Sequence, residues 1–411
     1  MSNKQTFIVV GGGLAGAKAV ETLRTEGFDG DIILFTEEAV RPYQRPPLSK
    51  DYLRREAGFD QCAVHDENFY TANNIELHTS SRVVEINPAT SKVTLASGEV
   101  FCYTKLLLAT GSVPRRLMIP GAELNGVNYL RDISDADNLT DVVTATAGAK
   151  RRVVIVGSGW IGSEVAASIR EMGAEVSVVE LASVPLERVL GTEVGSFYRD
   201  LHIEHGVDMH FGVGIEAIRG ATSVEEVVLS DGTVLDCAVV VVGIGVFPRT
   251  ELAEAVGLSV NNGIVTDEYL KTSERNIYAA GDVATVFYPF YQTHIHLEHW
   301  SAAINQGPIA ARNMLGISDI YEQIPYFYSD QYDVGMEYTG FAPTWDQILF
   351  RGNPATKQFI TFWLDKTGRV LAGMNVNVWE VAPAIEALIR SCKPVDLEQL
   401  VNPNVDLASL V

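Results

Sequence analysis

The spacing G-x-G-x-x-G occurs twice in this chain, each time between an apolar run and a helical stretch, and no other feature restricts the fold as much. The first copy, FIVVGGGLAG, places Gly11, Gly13 and Gly16; the second, VVIVGSGWIG, places Gly157, Gly159 and Gly162. In a strand-turn-helix unit the first glycine makes the tight turn, the second lets the backbone approach a pyrophosphate, and the third lets the helix pack closely on the strand. The phosphates then rest on a helix N-terminus, where free N–H groups and the helix dipole favour an anion. Each copy is followed by an apolar run ending on an acidic residue, Glu37 in IILFTE and Glu180 in VSVVE, at an offset that suits a ribose diol. One dinucleotide site suggests a dehydrogenase; two suggest a flavoenzyme.

At 411 residues the chain is long for one hydrophobic core, and two or three domains are expected. The order of fingerprint, YTKLLLATG strand, fingerprint, NIYAAGD strand indicates that one nucleotide-binding domain is inserted in another. Residues 1–113 and 247–324 would form the outer domain and 114–246 the inner one. From 325 onward, alternating aromatic stretches such as GMEYTGF and FITFWLD, then a helix over PAIEALIRS, predict a C-terminal α+β domain spanning 325–411. The fold class is therefore α/β, with two Rossmann-like domains followed by the α+β domain. Asp282 closes its strand at the carboxyl edge, where open α/β sheets bind ligands; a loop cap is the alternative reading.

Hydrophobic content of 47% and charged content of 20% exclude a disordered or fibrous chain, and a net charge of −21 opposes a nucleic-acid role. No apolar run approaches the ~18 residues of a membrane span, and the first strand begins too soon for a leader peptide, so a cytoplasmic location is expected. Cys62, Cys102, Cys237 and Cys392 are scattered without a C-x-x-C pair and read as free thiols. His294, His296, Glu298 and His299 alternate but lack a second ligand cluster, so no metal site is expected.

With these residues placed, the chain resembles the oxygenase-coupled NADH-dependent ferredoxin reductases over essentially its whole length. RPYQRPPLSK, LLLATG, YLRDISDA, IYAAGDVA, LEHWSAAINQG and YFYSDQYDVGMEYTG carry the resemblance beyond the two fingerprints. It implies a glutathione-reductase-like architecture with FAD on the first fingerprint and NAD on the second. For FAD it implies Gly11, Gly13, Leu14, Ala15 and Gly16 at the pyrophosphate turn, Glu37 on the adenosine ribose and Val83 near the adenine. Arg131 and Asp282 would face the phosphates and ribityl chain, and Trp300 would pack beside the isoalloxazine. Arg45, Ala109, Thr110, Gly111 and Gly281 complete this set. Lys50 would lie near flavin N5 and pair with Glu164 as the catalytic pair, unless that pair only joins the two nucleotide domains. For NAD it implies Gly157, Gly159, Ile161 and Gly162 at the turn, Glu180 and Arg188 on the adenosine side, and Gly245 towards the nicotinamide.

The wider superfamily carries a redox-active cysteine pair where this chain has RPYQRPPLSK, so electrons must leave the flavin directly. The implied partner is a [2Fe-2S] ferredoxin, and through it a cytochrome P450 or ring-hydroxylating dioxygenase. A reductase of another small acceptor, or a redox signalling protein resembling apoptosis-inducing factor, would share the nucleotide motifs. Ferredoxins are usually acidic, as this chain is, so docking needs a local basic patch; Arg54 with Arg55, Arg115 with Arg116, and Arg351, Lys357 and Lys366 are candidates.

Overall fold

The computed structural model describes residues 4–411, which divide into two compact units. The first takes residues up to Arg45, then Gly58–Val113 and Val246–Gln323; the second takes Pro46–Ala57, Pro114–Gly245 and Ile324–Val411.

The first unit is built on a five-stranded parallel sheet in the order Ile277–Ala279, Lys105–Leu108, Thr6–Val10, Asp31–Phe35, Ile75–His78. Its central strands are buried almost without interruption, which is why they read as continuous apolar runs rather than alternating ones. Helix Leu14–Thr25 packs on helix Trp300–Leu315 at backbone distance: a Cβ on Gly307 would lie 2.3 Å from the Ala15 carbonyl oxygen.

The second unit repeats the design with the order Asp208–Phe211, Glu175–Glu180, Arg152–Val156, Val239–Val242, Val127–Tyr129, again parallel. It also holds a five-stranded antiparallel sheet in the order Tyr326–Gln331, Val334–Gly340, Val370–Val376, Gln358–Leu364, Gln347–Asn353, followed by helix Ala382–Ser391.

The division departs from the one drawn on the sequence in two places, apart from one-residue shifts at 246 and 324. Residues 46–57 group with the second unit, not with the outer domain. Leu53 is buried in the core of the parallel sheet, its carbonyl accepts from Thr140 Oγ1 at 3.0 Å, and Ser168 Oγ donates to the Ser49 carbonyl at 2.6 Å. The C-terminal sheet, moreover, shares a core with the nucleotide-binding segment. Leu190, Val194 and Tyr198 of helix Glu187–Glu204 bury with Phe327, Tyr338, Phe359 and Trp363, and Trp363 Nε1 donates to the Leu190 carbonyl at 3.2 Å.

Candidate functional site

In the first fingerprint the three glycines are required for different reasons. Gly11 has φ +120° and a Cβ there would lie 2.0 Å from the Ala109 carbonyl oxygen; a Cβ on Gly16 would lie 2.1 Å from the Gly11 oxygen. Both are demanded by the fold. A Cβ on Gly13 would meet nothing within 4 Å, and φ is an ordinary −83°, so nothing in the protein itself requires glycine there. That space lies before helix Leu14–Thr25, whose first turn has no side-chain cap and no acidic residue. Open backbone at an uncapped N-terminus fits the pyrophosphate of FAD.

The first unit holds most of the residues expected on the flavin side. Gly281, at φ +78°, abuts Ala15, and Asp282 beside it accepts from Ser112 Oγ at 3.2 Å. Trp300 Nε1 donates to Gln44 Oε1 at 2.9 Å, and Arg45 pairs with Glu38 at 2.7 Å. Arg249 ties the neighbouring strand end, its N–H donating to the Gly111 carbonyl at 2.9 Å and its carbonyl accepting from Thr110 Oγ1 at 2.9 Å. Val83 is buried at the start of its strand. Glu37 is turned towards Arg249 at 2.7 Å and Arg82 at 3.6 Å.

The second fingerprint has the same division of labour. Gly157 has φ +94° with the Gly243 oxygen 2.5 Å from a Cβ, Gly162 would press on the Gly157 oxygen at 2.0 Å, and Gly159 again faces open space at the uncapped start of helix Trp160–Glu171. Ile161 is exposed in that first turn, and Arg188 is exposed at the start of Glu187–Glu204. Glu180 closes its strand with both carboxylate oxygens already held by the protein, Oε2 by Ser158 and Oε1 by the Ala182 N–H. Gly245, at φ +95°, accepts from the Arg115 N–H at 2.9 Å. Arg131 belongs to the second unit, its backbone N–H donating to Asp135 Oδ2 at 2.9 Å.

Lys50 and Glu164 meet, at 2.7 Å, and both belong to the second unit, so the pair does not join the two units. The carboxylate accepts three times: from Lys50 Nζ, from Ser49 Oγ at 2.5 Å, and from Ser329 Oγ at 2.7 Å. Ser329 stands in the string YFYSDQYDVGMEYTG, where nothing local ties it to a residue so distant in the chain. Behind it a buried line continues, Gln331 Nε2 donating to Ser329 Oγ at 3.3 Å and His202 Nε2 lying 3.0 Å from Gln331 Oε1.

Burial holds the His202 imidazole down to about 4 from an ordinary 6.5, Gln331 pulling weakly the other way. The unfolded chain takes up this proton near 6.5 and the folded chain only near 4, so stability is intact above that window and drains away as the pH falls through it. The loss is on the order of 2 kcal/mol at pH 5. The melting temperature should therefore drop more steeply from pH 7 to pH 5 in the wild type than in His202→Gln, and parallel curves would exclude this account.

These geometries find their counterpart in known proteins. The model of the pyridine nucleotide-disulphide oxidoreductases matches residues 5–307, and that of a reductase C-terminal domain matches 326–411. The chain belongs to the pyridine nucleotide-disulphide oxidoreductase family. It is an oxidoreductase whose cofactors are FAD and NAD(H). It is 37% identical over 405 residues to the ferredoxin–NAD(+) reductase component of an anthranilate 1,2-dioxygenase system from Burkholderia cepacia, covering 98% of this chain and 99% of that protein. Among solved structures it is similar to the ferredoxin reductase for the CYP199A2 system from Rhodopseudomonas palustris, with a TM-score of 0.94, 35% identity and 99% of each chain covered. It is also similar to the reductase of a covalent putidaredoxin reductase–putidaredoxin complex, with a TM-score of 0.93, 34% identity, and 98% and 97% covered.

Against the family's name, all four cysteines are free thiols, and burial pushes Cys237 up to about 12, far from a reactive thiolate. Among the described residues no three His, Cys, Asp or Glu side chains are grouped to hold a metal ion, and no helix is long and apolar enough to cross a membrane. Several of the basic candidates are engaged within the protein. Arg54 pairs with Asp51, Glu56 and Glu171, Arg55 with Asp141, and Lys357 with Asp333 and Glu204; Arg351 donates to the carbonyls of Leu400, Pro403 and Val405. Arg115 and Arg116 are exposed, with Arg116 over the Tyr129 ring at 4.0 Å.

Proposed function

We propose that this chain is an FAD-dependent NADH:ferredoxin oxidoreductase that passes electrons to a [2Fe-2S] ferredoxin serving a cytochrome P450 or a ring-hydroxylating dioxygenase. The carrying observation is the pair of glycine cradles, each open only at its second glycine, in a chain with no cysteine pair to take the electrons onward. Full-length likeness to reductases named for such systems supports the choice of acceptor. Bound flavin supplies the change from hydride transfer to single-electron transfer.

The chain's own part is to bind and orient. Gly13 and Gly159 admit the two pyrophosphates, Glu180 accepts from the adenosine ribose of NAD(H), and its negative charge, with no Lys or Arg between 181 and 187, disfavours the 2′-phosphate of NADPH. Asp282 and Trp300 belong to the flavin side, and Lys50 with Glu164 to the electrostatics of the reaction. A cytoplasmic location completes the reading, since four free thiols suit a reducing compartment.

Purified protein should carry FAD and, with NADH, reduce cytochrome c only when a ferredoxin is added. Turnover of a small quinone or ascorbate radical at equal kcat/KM, with no response to any ferredoxin of a panel, would move the assignment to a small-acceptor reductase.

A further inference from the structure

Ser158 stands between the first two glycines of the second fingerprint, 1% exposed, and its position in the hydrogen-bond network is unlike that of a spacer. Its backbone N–H and its hydroxyl both donate to the same oxygen of Glu180, Oε2, at 2.7 and 2.8 Å. The Ala182 N–H takes Oε1 at 3.0 Å. Ser158 is itself held in place, because its carbonyl accepts from Ser163 Oγ and from the Leu186 N–H, each at 3.2 Å. A carboxylate offers about four acceptor positions, and three are filled by the protein. The position left on Oε1 is free for a ribose hydroxyl.

The first fingerprint provides an internal comparison. Gly12 occupies the equivalent place and has no side chain to donate, while Glu37 is held from outside by Arg249 and Arg82. The turn therefore forms without a hydroxyl, and the serine does something other than make the turn.

We propose that Ser158 is a positioning residue for coenzyme choice: it fixes the Glu180 carboxylate at the ribose, so that the group cannot swing aside to admit a 2′-phosphate. A ribose hydroxyl has a proton to give to Oε1, whereas a phosphate brings like charge and no proton. A mobile glutamate could relieve that repulsion by rotating into water; one tied at Oε2 cannot. The inference rests on the reading of Glu180 as the ribose residue, and extends it to what makes the residue selective.

The test is calorimetric binding of NAD+ and NADP+ to the flavin-loaded protein, with kcat/KM for NADH and NADPH alongside, in wild type, Ser158→Ala, Ser158→Gly, Glu180→Ala and Ser158→Ala/Glu180→Ala. FAD content and melting temperature report whether each variant is folded, and Ser158→Gly copies the turn already present at Gly12. Loss of the hydroxyl should lower the NAD+ over NADP+ preference about fivefold, the scale of one hydrogen bond, with kcat little changed. Glu180→Ala should lower it at least ~10-fold, and adding Ser158→Ala to it should change nothing further, because the serine acts only through the carboxylate. An unchanged preference in both serine variants beside a fallen one in Glu180→Ala overturns the positioning role. An additive double variant does so too, since Ser158 would then meet the coenzyme itself. An unchanged preference in Glu180→Ala overturns the underlying reading of Glu180 instead.

Discussion

Gly159→Val is expected to remove NADH oxidation from a protein that still folds and still carries flavin, and Gly13→Val to give folded protein without flavin. Both residues have extended backbone that any L-residue adopts, with φ of −68° and −83°, and neither has a protein atom within 4 Å of the added Cβ. The fold therefore loses only the preference for a small residue before a helix, about 1 kcal/mol. The ligand loses its closest approach to the helix N-terminus, and a pyrophosphate displaced from those N–H groups should bind ~100-fold more weakly, about 3 kcal/mol. Gly11→Val and Gly16→Val should differ in kind, since their side chains would strike the carbonyls of Ala109 and Gly11, and should give insoluble protein. Flavin absorbance per protein, circular dichroism and NAD+ calorimetry distinguish the two classes. A Gly159→Val protein that binds NAD+ like the wild type would show that the coenzyme does not rest on this turn.

Lys50→Met should be among the most destabilising single replacements in the second unit. The lysine and glutamate side chains are 10% and 5% exposed, so the carboxylate would be left in the interior without its counter-charge. Breaking a buried pair in this way costs about 3–5 kcal/mol, whereas replacing both partners by neutral groups is often close to neutral. The melting transition of that unit should fall by roughly 10 °C. Glu164→Gln in the Lys50→Met background should recover most of it, because the amide oxygen still accepts from Ser49 or Ser329 without a charge to strand. Scanning calorimetry of the three proteins decides the matter, and a single variant that melts with the wild type removes the pair from the stability of the unit. Arg54, at the rim of the same segment, is the useful contrast: its partners Asp51 and Glu56 are largely exposed, and losing such pairs costs ~0.2–1 kcal/mol each.

What could be read from the sequence was what is encoded within a few residues. The glycine turns were legible because each glycine answers to its own strand and helix, and Glu37 and Glu180 because a strand end fixes an offset. Lys50 and Glu164 were paired through family likeness, but Ser329, a further 165 positions along from Glu164, has no local signature and emerges only when the antiparallel sheet is laid down. The segment 46–57 looked like part of the outer domain because the chain runs through it without a break. Its allegiance is decided by Leu53 and by two side-chain bonds to backbone carbonyls, which no periodicity reveals. Helix Glu187–Glu204 buries Leu190, Val194 and Tyr198 against residues more than a hundred positions later, which no local pattern discloses. Arg54 and Arg55 are engaged within the protein for a simpler reason, whereas Arg115 and Arg116 stay exposed. In a chain of net charge −21 acidic neighbours are plentiful, and Arg54 and Arg55 find four between them in Asp51, Glu56, Glu171 and Asp141.

The way the chain returns to the second unit has a consequence during synthesis. Leu190, Val194 and Tyr198 leave the ribosome long before Phe359 and Trp363, the residues that bury them, have been translated. Until strands Gln358–Leu364 and Val370–Val376 emerge, that helix carries an uncovered oily surface, and the nascent chain has to be kept from self-association in the meantime. A messenger cut short before Tyr326 should thus yield an aggregating fragment rather than a smaller working enzyme, and slow passage through the last strands is the stage at which a cell's chaperones would matter most.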